Sequence, residues 1–124
     1  SCTLGLDFTA RDIQQNCKEK GLPWEIAKSF DQSAPLSKVW IPIKNKEEEI
    51  KFELEKNGEI VQKGTSHSMI FTFDQIIAYV SKFITLKKGD LIYTGTPSGV
   101  GEVKIGDNLK CLLMGEDVLN LNIK

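Results

Sequence analysis

The side chains of this sequence that could do chemistry crowd towards its start. Asp7 closes a short apolar stretch, Leu4-Gly5-Leu6, just ahead of a helical pattern, and Arg11, Gln14 and Lys28 follow it. A carboxylate placed between a strand end and a helix start serves either as an extra cap or as a ligand for a hard cation. Arg11 and Gln14 stand at i and i+3, so a helix makes them surface neighbours. They lie near the end at which the helix dipole favours an anion. A bidentate guanidinium, an amide and a helix N-terminus together suit a small carboxylate. Lys28 comes after a turn at Gly21-Leu22-Pro23 that can fold it back over the same spot. Read as pattern alone, Asp-x-x-x-Arg on a surface helix is usually no more than a solvated pair.

A second chemically capable stretch is Thr94-Gly95-Thr96-Pro97-Ser98-Gly99-Val100-Gly101. Its glycines let the backbone turn sharply and approach a ligand closely. It lacks the Gly-Lys-Ser/Thr ending of a phosphate loop, and Pro97 removes an amide such a loop would use. It also lacks the dinucleotide-binding glycine pattern. A loop whose Thr96 hydroxyl and amides touch a carboxylate remains open, and so does a plain structural turn. His67 is the only histidine and follows Thr65-Ser66 in a polar turn, which reads as a solvent-facing loop position. Cys17 falls on an apolar helix stripe, where a free thiol behaves as a small hydrophobe.

The elements that must position these groups follow from periodicity. Thr3–Asp7 is predicted as a short buried strand. Thr9 is the expected N-cap of a helix over 10–20, with Asp12 imitating a capping box and Gly21 and Pro23 ending it. Residues 24–42 read as an ordered loop with a short strand at Lys38–Ile41. Lys44–Glu49 is a charge run, expected to be a solvated turn. Ile50 to Glu55 alternates apolar and charged residues as a half-buried strand does. Asn57-Gly58 then marks a type I′ hairpin turn, with Ile60–Lys63 returning. Phe73, Ile76, Ile77, Val80 and Ile84 space an amphipathic helix whose stripe is expected to be core. Leu91–Thr94 is expected as a buried strand, and Leu109–Met114 and Val118–Ile123 as two more around Gly115. Many short strands with two helices make the class α+β, mostly β, in one domain over residues 1–124.

The totals set outer bounds. A chain of 124 residues suffices for one domain with a modest core. The formal net charge of -1 argues against nucleic acid as a partner. Cys2, Cys17 and Cys111 are odd in number and not closely spaced, which favours reduced thiols and a cytoplasmic location. No apolar run approaches a membrane span, so no membrane role is expected. Ser1 in place of a methionine fits a processed or cut start, or a piece of a longer chain.

With these residues in hand, the chain resembles the fumarylacetoacetate hydrolase family, in its acylpyruvate hydrolase and oxaloacetate decarboxylase branch. The matching motifs are Leu6-Asp7-Phe8-Thr9-Ala10-Arg11-Asp12, Gly21-Leu22-Pro23-Trp24, Ala27-Lys28-Ser29-Phe30-Asp31, Asn57-Gly58-Glu59, Ser68-Met69-Ile70-Phe71 and the Thr94–Gly101 loop, in family order. The resemblance implies a mixed β-roll or β-sandwich fold, lacking its N-terminal portion here, and a homodimer. It implies a Mg2+ or Mn2+ ion and cleavage of a C–C bond in a small 2-oxo acid through a pyruvate enolate. It assigns Asp7 to the metal, Lys28 to catalysis, and Arg11, Gln14, Gly95 and Thr96 to the substrate. Isomerisation with decarboxylation of unsaturated oxo-diacids is the alternative within the family, and an inactive truncated domain the alternative outside it. The family's Glu-x-Glu metal pair and its water-activating His-Glu dyad have no match in this chain. The acids Glu47-Glu48-Glu49 come after the Asp7 motif, and His67 does not match the dyad histidine by position.

One metal ligand out of three predicts weak metal binding by this chain alone. Calorimetric titration of the 124-residue chain with Mn2+ is expected to give an affinity weaker than micromolar. A micromolar site would contradict that reading.

Overall fold

The computed structural model describes residues 1–45 and 48–124. Its centre is a four-stranded sheet in the order β2-β1-β3-β4, with every neighbouring pair antiparallel. The strands are β1 (Lys51–Lys56), β2 (Glu59–Thr65), β3 (Asn108–Leu113) and β4 (Glu116–Asn122). Sequence alternation decides which side of the sheet becomes core. The register sets Phe52 and Leu54 of β1 opposite Leu113 and Cys111 of β3. Leu121 and Leu119 of β4 then face Leu109 and Cys111. Leu109, Cys111 and Leu113 are buried. Burial pushes the Cys111 thiol up to about 11, so it is an inert core group. The opposite side carries Glu53, Glu55, Lys63 and Lys110, paired as Lys63–Glu53 at 2.6 Å and Lys110–Glu55 at 3.0 Å.

Both hairpins turn through paired positive φ angles. Asn57 (φ 53°) and Gly58 (φ 84°) join β1 to β2 as the Asn-Gly signal requires. Met114 (φ 56°) and Gly115 (φ 84°) join β3 to β4. The first turn is tied across the sheet. Asn57 Nδ2 donates to Asp107 at 2.8 Å, and Asn57 Oδ1 accepts from the Asn108 amide at 2.8 Å. Asp107 also accepts from the Lys104 amide and pairs with Lys56, and these bonds, that from Asn57 foremost, hold its carboxyl down to about 2.

Among the described residues three α-helices accompany the sheet, one more than expected: α1 (Arg11–Lys20), α2 (Glu25–Lys28) and α3 (Phe73–Val80). Gly21 ends α1 in the left-handed conformation, as the sequence suggests. The N-cap of α1 is Ala10, not Thr9, and it makes no side-chain cap bond. The Thr9 hydroxyl is engaged elsewhere, as described below. The short α2 escapes a periodicity reading because one turn shows no period.

Other expectations are corrected. Thr3–Asp7 is an extended segment held by isolated bridges, Cys2 to Ile41 and Gly5 to Leu36, and not a buried strand of a sheet. The Lys38–Ile41 strand reduces to the Ile41 end of that bridge. Leu91–Thr94 forms no strand: Leu91 and Tyr93 are 48% and 46% exposed, and no described strand runs beside them to take their backbone bonds. The apolar stripe of α3 is not core in this chain. Ile77 is 48% and Ile84 60% exposed, and no residue of α3 is buried. What holds the start of α3 is a capping box: Thr72 Oγ1 accepts from the Gln75 amide, and the Gln75 side chain accepts from the Thr72 amide. The charged turn expected at Lys44–Glu49 lies partly outside the described residues. His67 is exposed in a 3-10 turn at Ser66–Ser68, in keeping with its bland reading.

Gly64 on β2 sits opposite Phe52, and a Cβ added there would lie 2.6 Å from the Phe52 ring. Gly64→Ala is expected to destabilise the chain by about 1–3 kcal/mol through overpacking. A lowered denaturant midpoint with unchanged slope would show it; an unchanged midpoint would contradict it.

Candidate functional site

The segment 2–8 runs antiparallel to 33–41. Leu6 N bonds to Pro35 O, Phe8 N to Ser33 O, and Ser37 N to Leu4 O, at 2.8–3.0 Å. This ribbon delivers Asp7 to the start of α1. The Ala10 amide donates to Ala27 O at 3.0 Å, so the first residues of α1 are pinned to α2, where Ala27 is fully buried. That contact turns Lys28 back over Asp7. Lys28 Nζ donates to Asp7 Oδ2 at 2.6 Å and to Thr9 Oγ1 at 2.8 Å. The Thr9 hydroxyl in turn donates to the Asp7 carbonyl at 3.2 Å. The fold-back expected from Gly21-Leu22-Pro23 is therefore present.

Arg11 and Gln14 are neighbours as their spacing requires. Arg11 Nη1 donates to Gln14 Oε1 at 2.9 Å. Gln14 is buried at 5% exposure while Arg11 is exposed, so an anchored amide steers an accessible guanidinium. Beside them, Leu22, Pro23, Trp24, Glu25, Lys28 and Ser29 line an open depression.

Thr96 and Gly95 stand apart from this cluster, on the glycine-rich loop. Gly95 has φ 108°, which favours glycine there. Thr96 Oγ1 accepts from Gln62 Nε2 at 3.0 Å. The link between loop and cluster is Tyr93. Its hydroxyl donates to Ala34 O at 3.3 Å, and it packs so closely on Gly5 that a Cβ there would meet the phenol oxygen at 2.7 Å. Burial raises the Tyr93 pKa, and the Asp7 charge raises it further, which places the phenol in the field of the cluster.

Sequence reasoning missed Thr9, Tyr93 and Gln62 as parts of this arrangement. Gln62 could have been found: the hairpin register sets it opposite Leu54, a polar side chain on the apolar side of the sheet. Nothing in the local sequence marks Tyr93, whose partners are far away in the chain.

In chemical terms the cluster offers a guanidinium, an ammonium and a carboxylate, with a hydroxyl-bearing loop apart from them. The family model described as fumarylacetoacetate hydrolase, C-terminal, matches residues 1–124. The chain belongs to the fumarylacetoacetate hydrolase family. It is 52% identical over 116 residues to the mitochondrial oxaloacetate tautomerase of Homo sapiens, covering 90% of this chain and 51% of that protein. It is 44% identical over 118 residues to an oxaloacetate tautomerase of Escherichia coli, covering 93% and 53%. A crystal structure of fumarylpyruvate hydrolase from Pseudomonas aeruginosa, in complex with Mn2+ and pyruvate, superposes with a TM-score of 0.89 at 34% identity, covering 98% of this chain and 52% of that one. The chain thus spans about half the length of the curated relatives it matches. No helix among the described residues is long and apolar enough to cross a membrane.

The Asp7–Lys28 pair is a third to a half exposed, so its own contribution to stability is small, about 1 kcal/mol or less. Lys28→Ala is expected to shift the melting temperature of the chain by no more than about 4 °C. Scanning calorimetry checks this, and a larger fall would make the lysine a structural residue.

Proposed function

We propose that the protein acts on a small 2-oxo acid of the oxaloacetate class by forming and stabilising an enolate across its C2–C3 bond. The observation that carries this is the Lys28 ammonium fixed between Asp7 and Thr9, with the accessible Arg11 held by the buried Gln14, in a chain related to tautomerases of oxaloacetate. Tautomerisation and C–C cleavage share the enolate. In the first, a proton leaves C3, its electron pair moves towards the C2 oxygen, and that oxygen takes up a proton to give the enol. In the second, the pair comes from the bond beyond C3: CO2 departs, or, after water has added to the distal carbonyl, the acyl group departs as a carboxylic acid. The tautomerase relatives favour the proton transfer, which widens the bond-breaking reaction expected from the sequence.

The geometry supports a role for each residue. Arg11, with one nitrogen spent on Gln14, has N–H groups left for the C1 carboxylate. Lys28 is a preorganised cation where charge develops on the C2 oxygen, which costs no reorganisation at the moment of reaction. Gly95 and Thr96, on the separate glycine-rich loop, are the second contact with the substrate in this proposal. A Mg2+ or Mn2+ ion would supply Lewis-acid stabilisation of the same charge. Asp7 is a donor of the right type for it, a hard oxygen. The donor count falls short: among the described residues no three His, Cys, Asp or Glu side chains stand together. No step is therefore assigned to the ion. The homodimer implied by the family resemblance is kept as part of this proposal.

Kinetics of the full-length protein on oxaloacetate, following enol–keto interconversion by ultraviolet absorbance, tests the reading. Asp7→Ala is expected to abolish turnover, and Thr96→Ala to raise KM with kcat largely retained. Equal losses of kcat in both variants at unchanged KM would overturn these roles.

A further inference from the structure

The Gln62 amide settles which way the Thr96 hydroxyl points its proton. Gln62 Nε2 lies 3.0 Å from Thr96 Oγ1 and 3.0 Å from Pro97 O. A backbone carbonyl can only accept, so Gln62 presents its NH2 group to this loop and not its oxygen. That group has two hydrogens and two acceptors at 3.0 Å, so it is fully used. Thr96 Oγ1 is consequently an acceptor towards Gln62, and its own hydrogen is left for another partner. Among the described residues no protein group accepts it, and Thr96 is exposed.

The loop cannot easily slide from this arrangement. Gly99 (φ 97°) lies so close to β2 that a Cβ would stand 2.0 Å from Val61 O. Lys56, on β1, donates to Glu102 O at 2.8 Å just beyond the loop. The strand pair β1–β2 therefore holds the chain that follows Gln62's contacts, at Gly99 and at Glu102.

We infer that Gln62 is a positioning residue which makes Thr96 a hydrogen-bond donor aimed at an acceptor oxygen of the bound oxo acid, a carboxylate or carbonyl. This rests on the reading of Thr96 as a substrate contact. Gln62 itself does not touch the substrate.

A double-mutant cycle in the full-length protein tests it, with oxaloacetate as the probe. Gln62→Glu cannot donate to Pro97 O and instead draws the Thr96 proton to itself. It is expected to raise KM roughly tenfold, the effect of one hydrogen bond, with a much smaller change in kcat. Thr96→Val is expected to raise KM similarly, and Thr96→Ser to restore it. In the Thr96→Val background, Gln62→Glu should add no further increase, an outcome that a merely structural role would not produce. Independent, multiplicative effects on KM would overturn the proposal. If Gln62→Glu does not fold, as judged by circular dichroism, the apolar Gln62→Met enters the same cycle with the same expectations. Should Thr96→Val leave KM unchanged, the reading of Thr96 as a substrate contact fails and the proposal with it. Should Thr96→Val raise KM while both Gln62 variants do not, only the Gln62 inference fails.

Discussion

The hydrogen bond from the Ala10 amide to Ala27 O is the constraint on which the rest of the cluster depends. It docks two short pieces of backbone that have little else in common, the start of α1 and the last turn of α2. A helix of one turn is not stable by itself, since nucleation costs more than one bond returns. Here α2 is held from outside, by that bond and by the complete burial of Ala27. Only then does Lys28 have a fixed origin from which to reach Asp7 and Thr9. The ion pair is thus a result of the docking and not its cause, which fits the modest strength of a half-exposed pair.

The glycine-rich loop is placed by a different kind of constraint. Exclusion of side chains, and not attraction, sets two of its distances. Tyr93 can lie on the Asp7 ribbon because Gly5 has no Cβ, and the loop can lie on β2 because Gly99 has none. Such contacts are steep in distance, so they fix position well while adding little binding energy. The Gln62 amide then supplies direction. The same sheet thereby serves as core on β3 and as a platform for the loop on β2.

Much of this could be read from the sequence where the signal is local. Asn57-Gly58 specified its turn because only a few residue types tolerate two positive φ values in succession. The alternation of β1 placed the charged and apolar sides correctly. Arg11 and Gln14 met because a helix fixes what lies three residues on. The errors share a cause. Thr9 has the side chain of a cap, but Lys28, far along the chain, takes its hydroxyl. Leu91–Thr94 has the composition of a strand, yet a strand exists only where a neighbour accepts its backbone bonds, and Thr3–Asp7 finds such a neighbour only in the 33–41 ribbon, as isolated bridges outside the sheet. The stripe of α3 is amphipathic in sequence, and amphipathicity tells which side wants burial without saying what will bury it. The joining of Tyr93 to Gly5 is invisible for the same reason, being a packing match between distant residues.

The half-covered stripe of α3 has a consequence for the order in which the molecule comes apart. Its first turn is clamped by Thr72 and Gln75, but eight residues with Phe73, Ile76 and Val80 only half-buried are near the limit of helix stability in water. The amides of β1 and β3, protected on both flanks by paired strands, open only with the whole sheet. In hydrogen exchange the chain therefore divides into a slow sheet and a fast α3. The long connection from Ser81 to Asp107, which carries the glycine-rich loop, hangs between these two regimes and is moored at its far end by Gln62, Lys56 and Asn57.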